Sequence, residues 1–128
     1  MSLVTPLNRV LGLGTASGAA EHWWMQRLTA VALFVLGLWA AVELLLLPDF
    51  SYRTALAWVH RPYSAVMLIL FVLAVGYHSY LGVQVVVEDY VASKALKVAS
   101  LMGSSLAHLG LSIAAIFAIL KIAFGPAV

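Results

Sequence analysis

The chain has 128 residues, of which 64% are hydrophobic and only 9% are charged, and its formal net charge is +2. A soluble domain carries roughly a quarter of charged residues, so this composition excludes an ordinary soluble protein and indicates a membrane protein. The small positive charge argues against nucleic-acid binding, and the absence of cysteine excludes disulfides, thiolate metal sites and iron–sulfur clusters held by this chain.

The N-terminal segment, residues 1–21, precedes the apolar part of the chain. It contains Arg9 and several small residues, and it lacks the compact apolar core of a secretory signal peptide. We expect it to form an arm on the solvent side of a membrane. The whole chain, residues 1–128, is then a single transmembrane domain.

Three apolar runs follow the arm, at residues 28–47, 62–87 and 98–120. The first run carries one charge, Glu43, close to its end, and the other two carry none. A helix needs about 20 apolar residues to cross the hydrocarbon core, and only a helix satisfies its own backbone when it spans singly. The sequence therefore predicts an all-α membrane protein with three transmembrane helices, at about residues 24–47, 62–88 and 97–121.

The basic residues near the ends of these spans predict the orientation of the chain. Three spans place the N-terminus and the second loop on one side of the membrane, and the first loop and the C-terminus on the other. The first side holds Arg9, Arg27, Lys94 and Lys97, and the second holds Arg53, Arg61 and Lys121. This small excess favours a cytoplasmic N-terminus. The same topology places Arg27 on the side where the second span ends.

Small residues are spread over all three spans. They are Gly37, Gly76, Gly82, Gly103, Ser104, Ser105, Gly110 and Ser112. Small side chains let membrane helices, or a flat cofactor, approach the backbone closely. Three helices alone bury such faces poorly, so we expect partner helices from another chain in a heteromeric bundle.

His78 lies in the middle of the second apolar run, and a polar side chain at that depth is a candidate functional residue. One interpretation is a neutral imidazole that is hydrogen-bonded to a neighbouring helix. The other is an axial haem ligand, since a neutral imidazole nitrogen binds haem iron well. Ala74 and Gly82 share the helix face of His78, which leaves a slot where a porphyrin would fit.

The second span ends in Asp89 and Tyr90, on the same side of the membrane as Arg27. Asp89 follows His78 by about three helical turns, or about 16 Å. A phenol donates a hydrogen bond to a carbonyl oxygen while its ring packs on a flat ligand. The phenol of Tyr90, the carboxylate of Asp89 and the cation of Arg27 together favour a pocket for a lipid-soluble carbonyl compound such as a quinone. Alternatively, these residues serve only as interfacial anchors.

The remaining polar residues have less specific interpretations. His108, in the middle of the third run, is a second candidate metal ligand. His22 and His60 lie outside the apolar runs and are expected to be solvated. Glu43 lies near the end of its helix and is expected to reach the membrane interface.

The pattern His78-x3-Gly82-x6-Asp89-Tyr90, together with His22-Trp-Trp-Met-Gln-Arg27 at the start of the first span, resembles the small hydrophobic anchor subunit of succinate dehydrogenase. The form of the first motif is similar to the alphaproteobacterial and mitochondrial-type branch. The resemblance covers all three spans. It implies a subunit of a bacterial inner membrane, in preference to the mitochondrial one, with its N-terminus in the cytoplasm.

The resemblance also implies cofactors and partners. Members of this family pair with a second cytochrome b anchor subunit and share one haem b with it, and iron–sulfur and flavoprotein subunits complete the enzyme. His78 matches the haem ligand, Tyr90 matches the tyrosine that contacts ubiquinone, and Asp89 and Arg27 match polar neighbours of that site. His108 matches no ligand position. The alternatives are the anchor of a fumarate reductase and a small non-redox assembly or transport subunit.

Overall fold

The computed structural model describes residues 16–126, with side chains from residue 20 onward, and this range contains four helices and no strand. The helices are α1 (Ala16–Leu45), α2 (Tyr52–His60), α3 (Pro62–Tyr90) and α4 (Lys94–Ala123). Three of them, α1, α3 and α4, are long and apolar enough to cross a membrane. This confirms the prediction of an all-α membrane protein with three transmembrane helices.

The helices extend beyond the apolar runs at most of their ends, although the first helix stops at Leu45, within its run. The first helix already includes Ala16, ahead of the predicted start at about residue 24, so the end of the predicted arm is helical, and residues 1–15 of the arm lie outside the described residues. The second span continues to Tyr90, and the third already begins at Lys94. Backbone hydrogen bonds continue a helix past the hydrocarbon boundary, because they do not depend on apolar side chains. Hydrophobicity therefore located the spans but underestimated their length.

A short helix, α2, lies in the connection that the sequence analysis interpreted as a loop. Ser51 caps it, accepting a hydrogen bond from the Thr54 backbone N–H at 3.3 Å. Asp49 Oδ1 accepts from the Ser51 N–H at 2.9 Å and from the Thr54 hydroxyl at 2.6 Å. Hydrogen bonds from Ser51 and Thr54 lower the pKa of Asp49 to about 2. These contacts turn the chain after Pro48 and start α2.

The central element is α3, which packs against α1 on one side and against α4 on the other. Among the described residues, no Cα atom of α1 lies within 8 Å of a Cα atom of α4, so the three spans form a row with α3 in the middle. Gly76 marks a close approach of α3 to α4, because a Cβ atom there would collide with the Ser112 hydroxyl. Many apolar side chains of α3 remain exposed in this row, among them Val66, Leu70 and Val86.

Very little of the chain is buried within itself. The buried apolar residues are Trp58, Ala65 and Leu81, and α4 has no buried residue. Large apolar side chains such as Phe34 and Phe117 are about two-thirds exposed or more. Exposed apolar surface on this scale requires lipid or partner helices. The expectation of partner helices remains a prediction, and this surface is consistent with it.

Candidate functional site

His78 lies on the face of α3 that packs against α1. Its Nδ1 is 2.9 Å from the Thr29 hydroxyl oxygen, and its Nε2 is 3.5 Å from the Gln26 amide nitrogen. Thr29 is buried, with 8% of its surface exposed, and His78 is half-buried. The hydrogen-bonded interpretation of His78 is therefore realised in this chain, between α1 and α3.

The hydrogen bonds around Thr29 assign the proton of His78. The Thr29 hydroxyl donates to the backbone carbonyl of Met25 at 2.8 Å and lies 3.1 Å from that of Gln26. A hydroxyl has one proton. With that proton on the Met25 carbonyl, the shortest of its contacts, the Thr29 oxygen accepts from His78, and we infer that the imidazole proton is on Nδ1. Nε2 then carries a lone pair, which suits the NH₂ group beside it. Only this long contact engages Nε2 among the described residues.

His108 is engaged differently, between α4 and α3. Its Nδ1 donates to the backbone carbonyl of Ser104 at 2.7 Å, one turn earlier on the same helix. Its Nε2 is 3.0 Å from the Ser79 hydroxyl on α3. Since the Nδ1 proton is used, Nε2 accepts from Ser79. Both nitrogens of His108 therefore have partners at hydrogen-bond distance, and the residue links α3 to α4.

Gln26 occupies part of the slot predicted beside His78. Its amide nitrogen lies 3.9 Å from the position that a Cβ atom on Gly82 would take, so the side chain covers both His78 and Gly82. The Gln26 amide oxygen is buried without a hydrogen-bond partner among the described residues. The side chain must move before a ligand reaches Nε2, and its oxygen is available to a group that enters.

Asp89 and Tyr90 are the last two residues of α3, just beyond the predicted end of the span at about residue 88, and Asp89 lies on the helix stripe of His78. Both are exposed, and 84% of Tyr90 is accessible. Arg27 lies at the same end of the bundle because α1 runs antiparallel to α3, and its guanidinium stacks over the Trp23 ring at 5.5 Å. Within residues 16–126, no hydrogen bond or salt bridge joins Arg27, Asp89 and Tyr90 to one another. The shared pocket is not closed by this chain.

Outside this region, His22 and His60 differ from their expected solvation, and Glu43 has a partner within the protein. His22 is half-buried, and its Nε2 has no hydrogen-bond partner among the described residues. His60 Nδ1 lies 3.0 Å from the Ile122 carbonyl, which ties α2 to the end of α4. Glu43, which was expected to reach the membrane interface, accepts a hydrogen bond from Trp58 at 3.1 Å. The partners of His60 and Glu43 come from distant parts of the chain, which sequence position does not reveal.

Several open cavities lie along the surface. Two of them, of about 360 and 300 Å³, flank the contact between α3 and α4 at Gly76, His108 and Ser112. A third, of about 500 Å³, lies between α2 and the end of α4 beside His60 and Lys121. Within the described residues, no group of three His, Cys, Asp or Glu side chains is placed to hold a metal ion. Iron bound to this chain would need ligands from elsewhere.

Residues 1–119 match the family of the succinate dehydrogenase/fumarate reductase transmembrane subunit. The succinate dehydrogenase hydrophobic membrane anchor subunit of Rickettsia bellii is 32% identical over 84 residues, which cover 66% of this chain and 67% of that protein. The subunit of the same name from Paracoccus denitrificans is 28% identical over 128 residues, or 100% of this chain and 98% of the relative. No solved structure matches the chain significantly.

Proposed function

Since this chain belongs to the family of succinate dehydrogenase/fumarate reductase transmembrane subunits, we propose that it is the hydrophobic membrane anchor of a bacterial succinate dehydrogenase. The Paracoccus denitrificans relative, which aligns along the whole chain, carries that name. The proposed location is the bacterial inner membrane with the N-terminus in the cytoplasm. The chain has no cysteine, so an iron–sulfur cluster held by cysteine thiolates belongs to another subunit of the complex, and we place the flavin in a further subunit.

The proposal includes one b-type haem, with His78 as the axial ligand from this chain. The carrying observation is the state of the imidazole: Nδ1–H is bound by Thr29 at 2.9 Å, while the Nε2 lone pair has only the 3.5 Å contact to Gln26. A neutral imidazole with a free nitrogen lone pair is the form that binds haem iron. The Gln26 amide oxygen has no hydrogen-bond partner among the described residues, which supports a site that a group from outside this chain completes. A bound haem supplies a one-electron site within the membrane.

His108 supports this assignment by contrast. It lies at a similar depth in α4, but its Nδ1 is bound to Ser104 at 2.7 Å and its Nε2 to Ser79 at 3.0 Å. Ligation through Nε2 would break the link between α3 and α4. The second axial ligand is therefore assigned to a second cytochrome b anchor subunit.

The ubiquinone site is proposed at the end of α3. Tyr90 is 84% exposed there, so its phenol is free to donate a hydrogen bond to a quinone carbonyl. A hydrogen-bond donor aimed at an oxygen that gains negative charge during reduction stabilises that charge. Asp89 accepts and relays protons, and Arg27 adds positive charge at the same end of the bundle. The open arrangement of these residues supports completion of the site by the second anchor and the iron–sulfur subunit.

We propose the direction of the reaction from the names of the relatives. The family description covers both succinate dehydrogenase and fumarate reductase. The relatives from Rickettsia bellii and Paracoccus denitrificans are named as succinate dehydrogenase subunits. These names favour electron flow from succinate to ubiquinone, with a fumarate reductase anchor as the second candidate.

The haem assignment is tested by two matched substitutions in the complete complex, His78→Ala and His108→Ala. We expect the complex with His78→Ala to lose most of its b-type haem, because one axial ligand is removed. The complex with His108→Ala should keep its haem. Haem is measured from the reduced-minus-oxidised spectrum per assembled complex. Unchanged haem in the His78 variant, or loss only in the His108 variant, would contradict the assignment.

A further inference from the structure

We propose that Thr29 is the positioning residue of His78: it holds the imidazole proton on Nδ1 and fixes the ring so that Nε2 is available to iron. This inference rests on the proposed haem site. It concerns a residue of α1 that lies outside the motifs of the sequence analysis. Thr29 is distant from His78 in sequence, and the packing of α1 on α3 brings them together.

The hydroxyl of Thr29 is held in one orientation. Its oxygen lies 2.8 Å from the Met25 carbonyl and 3.1 Å from the Gln26 carbonyl, both in the preceding turn of α1. This bond to the preceding turn selects the χ1 rotamer of a threonine in a helix. The proton therefore points along α1, and the lone pairs of the oxygen point towards α3. Thr29 presents a fixed acceptor to His78 at 2.9 Å.

Burial makes this contact effective. Only 8% of Thr29 is exposed, and the pair lies within the membrane-spanning part of α1 and α3. Water does not compete for the hydrogen bond there, and the Nδ1–H of His78 has no other acceptor among the described residues. Without the Thr29 oxygen, a buried donor would be left unsatisfied. The ring would then rotate or shift its proton to Nε2, and a protonated nitrogen does not bind iron.

The same hydrogen bond tunes the ligand once iron is bound. An acceptor on Nδ1–H fixes the tautomer and the ring orientation of a ligating histidine and raises its basicity. A more basic imidazole donates more electron density and favours the oxidised iron. Removal of the acceptor is therefore expected to weaken haem binding and to raise the haem midpoint potential.

Thr29→Val and Thr29→Ser are the matched variants, compared in the purified complete complex. Valine keeps the shape of threonine and removes the hydroxyl, whereas serine keeps the hydroxyl. We expect the complex with Thr29→Val to bind haem at least about tenfold less tightly, which is the range found for residues that support metal ligands. We also expect its haem midpoint potential to be higher. The complex with Thr29→Ser should remain close to the unmodified complex in haem binding and in midpoint potential. Thr29→Ala is the second variant if the valine complex does not assemble.

The outcomes separate this inference from the proposed function. If haem content and midpoint potential are unchanged in the valine and alanine variants while His78→Ala loses haem, Thr29 has no positioning role and the haem site stands. If the serine variant loses haem as completely as the valine variant, the hydroxyl of residue 29 is not what positions the His78 imidazole. If the unmodified complex contains no haem, the proposed haem site fails and the role of Thr29 fails with it.

Discussion

At the scale of single residues, two mid-span histidines of similar context have different hydrogen-bond states. His108 uses both nitrogens to join α4 to α3. His78 uses Nδ1 and leaves Nε2 with a long contact. A polar group within a membrane needs a partner, and the long contact that is all His78 Nε2 makes among the described residues is what supports a ligand there.

Tyr90→Phe tests the quinone end of the same helix. Loss of one hydrogen bond to a quinone carbonyl is expected to slow quinone reduction about tenfold, corresponding to a hydrogen bond of about 1.4 kcal/mol. Succinate oxidation with an artificial soluble acceptor should stay unchanged, because that reaction does not reach the anchor. Steady-state rates with both acceptors give the measurement.

Tyr52→Phe is the matched control for this experiment. Tyr52 is also exposed, at 77%, but it starts α2 at the opposite end of the bundle. Its substitution should leave both rates unchanged. Equal losses of both activities in the Tyr90 variant would show a structural role for the phenol instead.

The sequence alone identified candidate residues whose polar side chains are unusual within an apolar run. His78 stands out because an imidazole is rare in an apolar run, and the structure places it between two spans. Thr29 was missed because a threonine is ordinary in a membrane helix, and its role depends on packing against a residue far along the chain. The solvation expected for His22 and His60 was wrong for the same reason, since their surroundings are set by tertiary contacts.

At the scale of elements, the apolar runs predicted the three spans because each is long enough to cross the hydrocarbon core. The short helix α2 was missed because its nine residues, Tyr52–His60, mix polar and apolar types in a connection next to two prolines. Its start depends on Ser51 and Asp49, whose hydrogen bonds require a specific turn. A local cap of this kind leaves a weaker signal in the sequence than a long apolar run does.

Gly76→Leu tests the close contact between α3 and α4. Even a Cβ atom at this position meets the Ser112 hydroxyl, so a leucine must push the two helices apart. Overpacking of this kind destabilises by about 1–3 kcal/mol. We expect a lower midpoint of thermal unfolding for the detergent-solubilised complex.

Gly110→Leu is the control for Gly76→Leu. Gly110 lies in α4 close to Ser112 in sequence, but a Cβ atom there meets nothing within 4 Å. Its substitution displaces nothing within this chain, so it should lower the thermal midpoint of the complex less than Gly76→Leu does. A Gly76 variant as stable as the Gly110 variant would contradict the tight packing of α3 on α4.

At the scale of the whole molecule, the row of three helices is incomplete by itself. It buries few of its own residues and leaves most of its large apolar side chains exposed. His78 offers one ligand, and Tyr90, Asp89 and Arg27 form no closed pocket within the described chain. We therefore propose that both sites are completed at boundaries with other subunits, and we do not expect this chain to catalyse a reaction alone.

The most direct test is purification of the complex from native membranes through a tag on this chain, followed by a reduced-minus-oxidised spectrum and identification of every co-purified subunit. We predict a b-type haem signal, together with a second anchor, an iron–sulfur subunit and a flavoprotein. A complex that contains these subunits but no b-type haem would contradict the role of His78. Purification without the flavoprotein would contradict the assignment to succinate dehydrogenase.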